Sequence, residues 1–314
     1  MGGLYSAENE RDSCGIGFVA NICGEASHEI LERALEVLER MTHRGAESAD
    51  DKTGDGSGLL VQIPHEFYRK NVAALRDGAF PAPGTYGTGL LFLPRDRAAA
   101  DAVEKKMDGL AADTGLKVLA LRDVPVNHEA AGTIAKKAEP EVKQVFLALK
   151  EGGGRGKLDF LLYVFRKRLE KYAREELRNA ACYMPSLSAS TIVYKGMLMP
   201  RQLREYYPEL TDGAVKTAVA LVHSRFSTNT FPAWALSQPF RMIAHNGEIN
   251  TVKGNRFWAA AREKLYAHPF FTDGAFRLDD ILPVIEPDAS DSASFDNMLE
   301  LLVLSGRSLP HALM

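Results

Sequence analysis

Cys14 stands at the head of a short apolar run, Gly15 to Ile22, behind a polar stretch from Met1 to Ser13. The run is flanked by glycine and reads as a buried strand that begins at the cysteine. A cysteine in such a place commonly serves as a small core residue. The polar stretch before it argues for a second use, because cleavage between Ser13 and Cys14 would create an α-amino group beside the thiol. An α-amine has a pKa of about 7.7–8.0, so part of it is neutral near physiological pH and can accept a proton. The thiolate is the nucleophilic form of cysteine, and a new amino terminus would supply a proton acceptor without a partner histidine.

Downstream, the periodicities predict a mixed α+β fold. His28 to Met41 places Ile30, Leu31, Ala34, Leu35, Leu38 and Met41 on one helical face, with Ser27 as N-cap. Thr42 to Gly45 closes that helix, and Gly45 is expected in a left-handed turn conformation. Strands are expected at Leu59–Ile63, Gly89–Leu93, Lys117–Leu121, Gln144–Leu149, Leu161–Phe165, Ser190–Leu198, Ala218–Phe226 and Arg241–His245. Helices are expected at Ala98–Thr114, Lys167–Asn179, Asn255–His268 and Ser294–Leu304, with an exposed turn at Gly152–Lys157. No repeat or linker divides the chain, so a single domain is expected, with mainly antiparallel strands and helices outside them.

Two polar clusters follow apolar strands. Arg225 ends the run Ala218–Phe226, where arginine is usually a solvated strand end; its functional use would be a bidentate pair with a carboxylate. Asn246-Gly247 could be an ordinary tight turn. In a reactive site, the Asn246 amide and the Gly247 N–H would form an oxyanion hole, and glycine would allow close approach of the backbone. A thiol, a fixed cation and this pair are the parts needed to hydrolyse a side-chain amide such as that of glutamine.

Cys14-Gly-Ile-Gly-Phe, Thr42-His-Arg-Gly-Ala-Glu-Ser, Gly54-Asp-Gly-Ser-Gly and the segment from His223 to Trp258 together resemble the glutaminase domain of glutamate synthase large subunits. More broadly they resemble class II glutamine amidotransferases, which are N-terminal-nucleophile hydrolases. The resemblance implies a four-layer α/β/β/α sandwich with largely antiparallel sheets. It divides the chain into a leader, residues 1–13, and a glutaminase domain, residues 14–314, incomplete at its C-terminus. It makes Cys14 the nucleophile, Asn246 and Gly247 the oxyanion pair, and Arg225 the holder of the glutamine α-carboxylate. Asp291 would hold the substrate α-amino group and Gly45 would offer backbone to the glutamine pocket. Asp291 also has a rival reading as a helix N-cap. The implied partners are L-glutamine and the remaining glutamate synthase domains or subunits. No cofactor is expected in this chain; FMN and an iron–sulfur cluster belong only to the complete enzyme, where ammonia meets 2-oxoglutarate.

Other readings are weaker. Gly152 to Leu158 lacks the first glycine and the Ser/Thr of a phosphate loop, and Gly54 to Gly58 lacks the strand–helix setting of a dinucleotide fingerprint. The eight histidines make no metal-ligand spacing, so no metal is expected, and His43, His223 and His245 read as structural hydrogen bonders. A papain-like pairing of Cys14 with His223 or His245, a non-catalytic regulatory or ammonia-supplying module, and a class II enzyme with another acceptor remain as alternatives. A formal net charge of −3 gives no general attraction to nucleic acid or anionic membranes. No apolar run reaches the roughly 18 residues that a membrane-crossing helix needs. Cys14, Cys23 and Cys182 make no disulfide framework, which fits a reducing cytoplasm.

Overall fold

Alternation of side chains across strands organises the interior. The computed structural model describes residues 14–72, 75–76, 78–179, 181–225, 230–267 and 276–314. Its strands are β1 (Ile16–Ala20), β2 (Ser57–Gln62), β3 (Tyr86–Leu93), β4 (Leu116–Asp123), β5 (Glu141–Leu149), β6 (Thr191–Gly196) and β7 (Val219–Ser224). They form a four-stranded sheet, β1-β7-β2-β6, and a three-stranded sheet, β3-β5-β4, antiparallel throughout. In β3, Leu90 and Phe92 join one apolar core while Leu91 and Leu93 join another, as a period of two requires.

The first core unites Leu59, Val61, Ile192, Tyr194, Ala220 and Val222 of the larger sheet with Phe92 and Phe146 of the smaller one. Helix α1 (His28–Arg40) covers part of it with Leu31, Ala34, Leu35 and Leu38, all buried at helical spacing. Its N-terminus is capped by Ser27, whose hydroxyl accepts from the Ile30 N–H. The second core places Leu91, Leu93, Val145 and Leu147 against two long helices. The remaining helices are α2 (His65–Asn71), α3 (Arg97–Asp113), α4 (Thr133–Lys137), α5 (Arg155–Glu175), α6 (Gln202–Tyr206), α7 (Val252–Arg262), α8 (Asp291–Leu304) and α9 (Leu309–Leu313). Helices and antiparallel sheets of this kind are consistent with the N-terminal-nucleophile hydrolase fold that the motifs led us to expect.

Four local expectations are corrected. Leu161–Phe165 is no strand but the middle of α5, a helix buried on several sides, where Leu161, Leu162, Tyr163, Val164 and Phe165 are all inaccessible. A short run that is apolar on every face does not reveal its period. The charged residues after it are buried as well: Arg166 donates to Glu170 at 2.8 Å and to Glu300 at 2.6 Å, tying α5 to α8. Arg241–His245 joins no sheet; the Met242 and Ile243 N–H groups donate to the Asp296 carboxylate at 2.7 and 3.2 Å instead. Gly45 is extended rather than left-handed, with φ −91° and ψ 161°. The expected exposed turn at Gly152–Lys157 is shorter than anticipated, since α5 begins at Arg155. The expected ends at Phe226 and His268, and the polar stretch Met1–Ser13, lie outside the described residues.

Phe146 is fully buried between the two sheets and touches the rings of Tyr68, Phe80 and Tyr86. Phe146→Ala is expected to lower unfolding free energy by about 3–5 kcal/mol in a urea titration. Phe231, 94% exposed, is the control: its replacement by alanine should change stability by less than about 0.5 kcal/mol.

Candidate active site

The pairing of β1 with β7 brings together segments about 200 residues apart in the sequence. Ile16 faces His223 in the ladder, and the Ser224 N–H donates to the Gly15 carbonyl at 2.8 Å. A side chain at Gly15 would put its Cβ 2.4 Å from the Ser224 carbonyl oxygen, so glycine is required for this approach. The same Cβ position is 3.4 Å from Asn246 Oδ1. The Asn246 amide therefore lies against the residue that follows Cys14. Cys14 itself is exposed.

Arg225 leaves β7 one residue after this contact and is almost fully buried, 6% exposed. Its N–H donates to the Gly56 carbonyl at 2.8 Å, and its guanidinium donates to Thr230 Oγ1 at 2.6 Å and weakly to the Asp55 carbonyl at 3.5 Å. Burial lowers the guanidinium pKa, and the Asp55 and Asp291 carboxylates oppose that shift. Such a cation is held in place rather than solvated. Gly45 lies behind it: a Cβ there would sit 2.9 Å from Ser224 Oγ and 3.7 Å from the Arg225 carbonyl oxygen. Close approach, not an unusual φ, is what calls for glycine at this position.

Asp291 is the first residue of α8, and its carboxylate accepts from the Ile249 N–H at 2.9 Å and the Ser292 N–H at 2.6 Å. The N-cap is Ser290, whose hydroxyl accepts from the Ala293 N–H at 3.1 Å. The capping role that competed for Asp291 thus falls to its neighbour. A cavity of about 360 Å³ is lined by Arg225, Asn246, Gly247 and Asp291, together with Gln238 and His245. Cys14 and Gly45 border this region through Gly15 and Ser224 but are not in the lining. Gly247 has φ +136°, a conformation that only glycine adopts without strain.

His223, His245 and His43 each bond a group other than the thiol through one ring nitrogen. His223 donates Nε2–H to the His245 carbonyl at 3.2 Å, and His245 Nδ1 meets Ser292 Oγ at 2.8 Å. His43 Nδ1 lies 3.1 Å from the Arg40 carbonyl. Burial depresses the His223 pKa to about 4, against the opposing pull of the His245 carbonyl and the Asn246 side chain. The ring is neutral at physiological pH. Sequence reasoning singled out neither Gln238 nor Thr230, because a glutamine before proline and a threonine in a polar loop carry no periodic signal. Among the described residues, no group of three or more His, Cys, Asp or Glu could hold a metal ion, and no helix is long and apolar enough to cross a membrane.

A buried cation and a carboxylate on one cavity suit the two charged ends of an α-amino acid. An amide side chain and a glycine N–H beside a thiol suit attack on a carbonyl. Comparison with known proteins agrees. The family model for class II glutamine amidotransferases matches residues 14–314. The chain is 42% identical over 314 residues to the large chain of an NADPH glutamate synthase of Bacillus subtilis, covering 99% of this chain and 20% of that one. It is 43% identical over 322 residues to the NADH glutamate synthase of Saccharomyces cerevisiae, covering 99% and 15%. With a chloroplastic ferredoxin-dependent glutamate synthase of Arabidopsis thaliana the identity is 40% over 306 residues, covering 98% and 18%. The chain spans about a fifth or less of the length of these relatives.

The low pKa of His223 makes stability depend on pH. Its folded value of about 4 lies below the ordinary 6.5, so the unfolded chain binds the extra proton first as pH falls. The stability that the neutral ring contributes is present above pH 6.5 and should be lost by pH 4, a change on the order of 3 kcal/mol. Urea titrations across this range should show a shallower acid loss in His223→Gln; equal slopes in the two proteins would contradict the assignment.

Proposed function

The chain belongs to the class II glutamine amidotransferases, and from that premise we propose that it hydrolyses L-glutamine to glutamate and ammonia through a thioester on Cys14. The observation that supports this reading is the contact of Gly15 with both the Ser224 backbone and the Asn246 amide, which brings the residue next to Cys14 beside Asn246 and beside the neighbour of Arg225. Arg225 takes the substrate α-carboxylate as a charge-assisted pair, and Asp291 takes the α-ammonium group. The two residues then hold opposite ends of one amino acid, leaving the side-chain amide to reach the thiol.

In this mechanism the Cys14 thiolate adds to the amide carbon, and the carbonyl oxygen becomes an oxyanion that accepts from Asn246 Nδ2–H and the Gly247 N–H. The α-amino group of Cys14, freed by cleavage after Ser13, takes the thiol proton and passes it to the departing nitrogen. Ammonia leaves as the C–N bond breaks, and water then cleaves the γ-glutamyl thioester to glutamate and free thiol. Burial disfavours the protonated His223 imidazolium that a papain-like thiolate–imidazolium pair would need.

We assign the ammonia to glutamate formation from 2-oxoglutarate, a reading supported by relatives named glutamate synthases, with the remaining glutamate synthase domains or subunits as partners. Flavin and iron–sulfur chemistry would reside in those parts, and the setting would be the cytoplasm. Relatives named for NADPH, NADH and ferredoxin are about equally similar to this segment, which supports a donor site elsewhere.

Glutamine hydrolysis by purified protein should disappear in Cys14→Ala, and a chain that still begins at Met1 should show little turnover. Full activity in either protein would overturn the mechanism. Arg225→Gln should reduce kcat/KM about 10- to 150-fold, the equivalent of one charge-assisted contact of about 1.5–3 kcal/mol.

A further inference from the structure

Resting on the functional reading above, we infer that Gln238 is a positioning residue that sets the oxyanion hole by clamping the backbone of His245, the residue before Asn246-Gly247. Its amide does so with both of its groups: Gln238 Oε1 accepts from the His245 N–H at 2.8 Å, and Gln238 Nε2 donates to the His245 carbonyl at 2.9 Å. These two backbone groups belong to the peptide units on either side of the His245 Cα. Bonding both from one planar amide fixes φ and ψ of His245, and therefore the direction in which Asn246 and Gly247 leave it.

The clamp stands in for a strand partner. Segment 241–245 joins no sheet, so its N–H and C=O groups need other partners. Asp296 takes the Met242 and Ile243 N–H groups, the Phe240 N–H donates to the Ile243 carbonyl at 2.9 Å, His223 adds a second donor to the His245 carbonyl, and Gln238 bonds both backbone groups of His245. Gln238 is itself only 6% exposed, and its backbone is held to the larger sheet. Lys195 of β6 donates to the Ala235 and Ser237 carbonyls, each at 2.8 Å, and Ser237 Oγ donates to the Gly196 carbonyl at 2.8 Å. The Gln238 carbonyl also lies 2.5 Å from where a Cβ on Gly58 of β2 would stand. A continuous path thus runs from β6 and β2 through Gln238 to the peptide that aims the two oxyanion donors. Gln238 need not touch glutamine to act; it determines where the donors are when charge develops.

The test replaces Gln238 by leucine, which removes both amide groups at similar size. In processed protein, kcat for glutamine should fall about 10²-fold, as for loss or misplacement of one oxyanion donor, while KM changes less than about threefold. Inhibition by glutamate γ-semialdehyde should weaken in step with kcat/KM. The thiol adds across its carbonyl: the C–S bond forms as the S–H bond and the C=O π bond break, the proton passes to the former carbonyl oxygen, and that oxygen takes the place of the oxyanion. Hydrogen exchange should quicken at the His245 amide while β1 and β7 keep their protection. Should the leucine variant fail to fold, Gln238→Glu carries the same test, since it still accepts from His245 N–H but cannot donate to the carbonyl when ionised. Unchanged kcat, a loss that lies wholly in KM, or unaltered exchange at His245 would overturn the inference. If the unsubstituted, processed protein hydrolyses no glutamine, the functional reading fails and the exchange measurement alone decides the clamp.

Discussion

Everything in the site depends on the antiparallel pairing of β1 with β7. That ladder carries the chain from Gly15 to the side of Ser224, so the residue before the first strand and the final residue of the last one become neighbours. The contact is possible because Gly15 has no side chain, and it is anchored by the buried apolar faces of the same sheet. No interaction within the cavity could substitute for it. Cys14 and Arg225 lie more than 200 residues apart in the sequence, and only long-range strand pairing overcomes the loop-closure entropy between them.

Around that ladder, the fold supplies fixed polar groups rather than flexible ones. Arg225 is buried and bonded through its backbone, Asp291 is locked by two N–H donors at the start of α8, and the 241–245 segment is held by side chains reaching in from α8, β7 and the 235–238 loop. Such preorganisation matters chemically, because donors already in place need not reorient as the oxyanion forms. The cost is a set of buried polar and charged groups that must all find partners. The Arg166, Glu170 and Glu300 cluster beneath α8 shows how the interior meets that demand with further charges.

Much of this was legible in the sequence, and the failures have physical causes. The α1 face was plain because Leu31, Ala34, Leu35 and Leu38 recur at helical spacing, and β3 to β5 were found within a few residues of their ends. The centre of α5 was misread, since a helix apolar all round looks like a buried strand over five residues. Arg241–His245 has strand composition but takes its hydrogen bonds from side chains, which no pattern in the segment reveals. Cys14, Arg225, Asn246 and Gly247 stood out through their residue types and motif context, and the structure draws their surroundings together. Gln238 did not stand out, because its role lies in a contact between two loop positions and leaves no periodic mark.

The most direct test of the central claim is to quench the processed protein in the act of turning over glutamine and to locate any covalent adduct by peptide mass spectrometry. The account predicts one γ-glutamyl group, labile to hydroxylamine, on a peptide whose first residue is Cys14. An adduct on another residue, or on Cys14 with Ser13 still attached to it, would contradict the account.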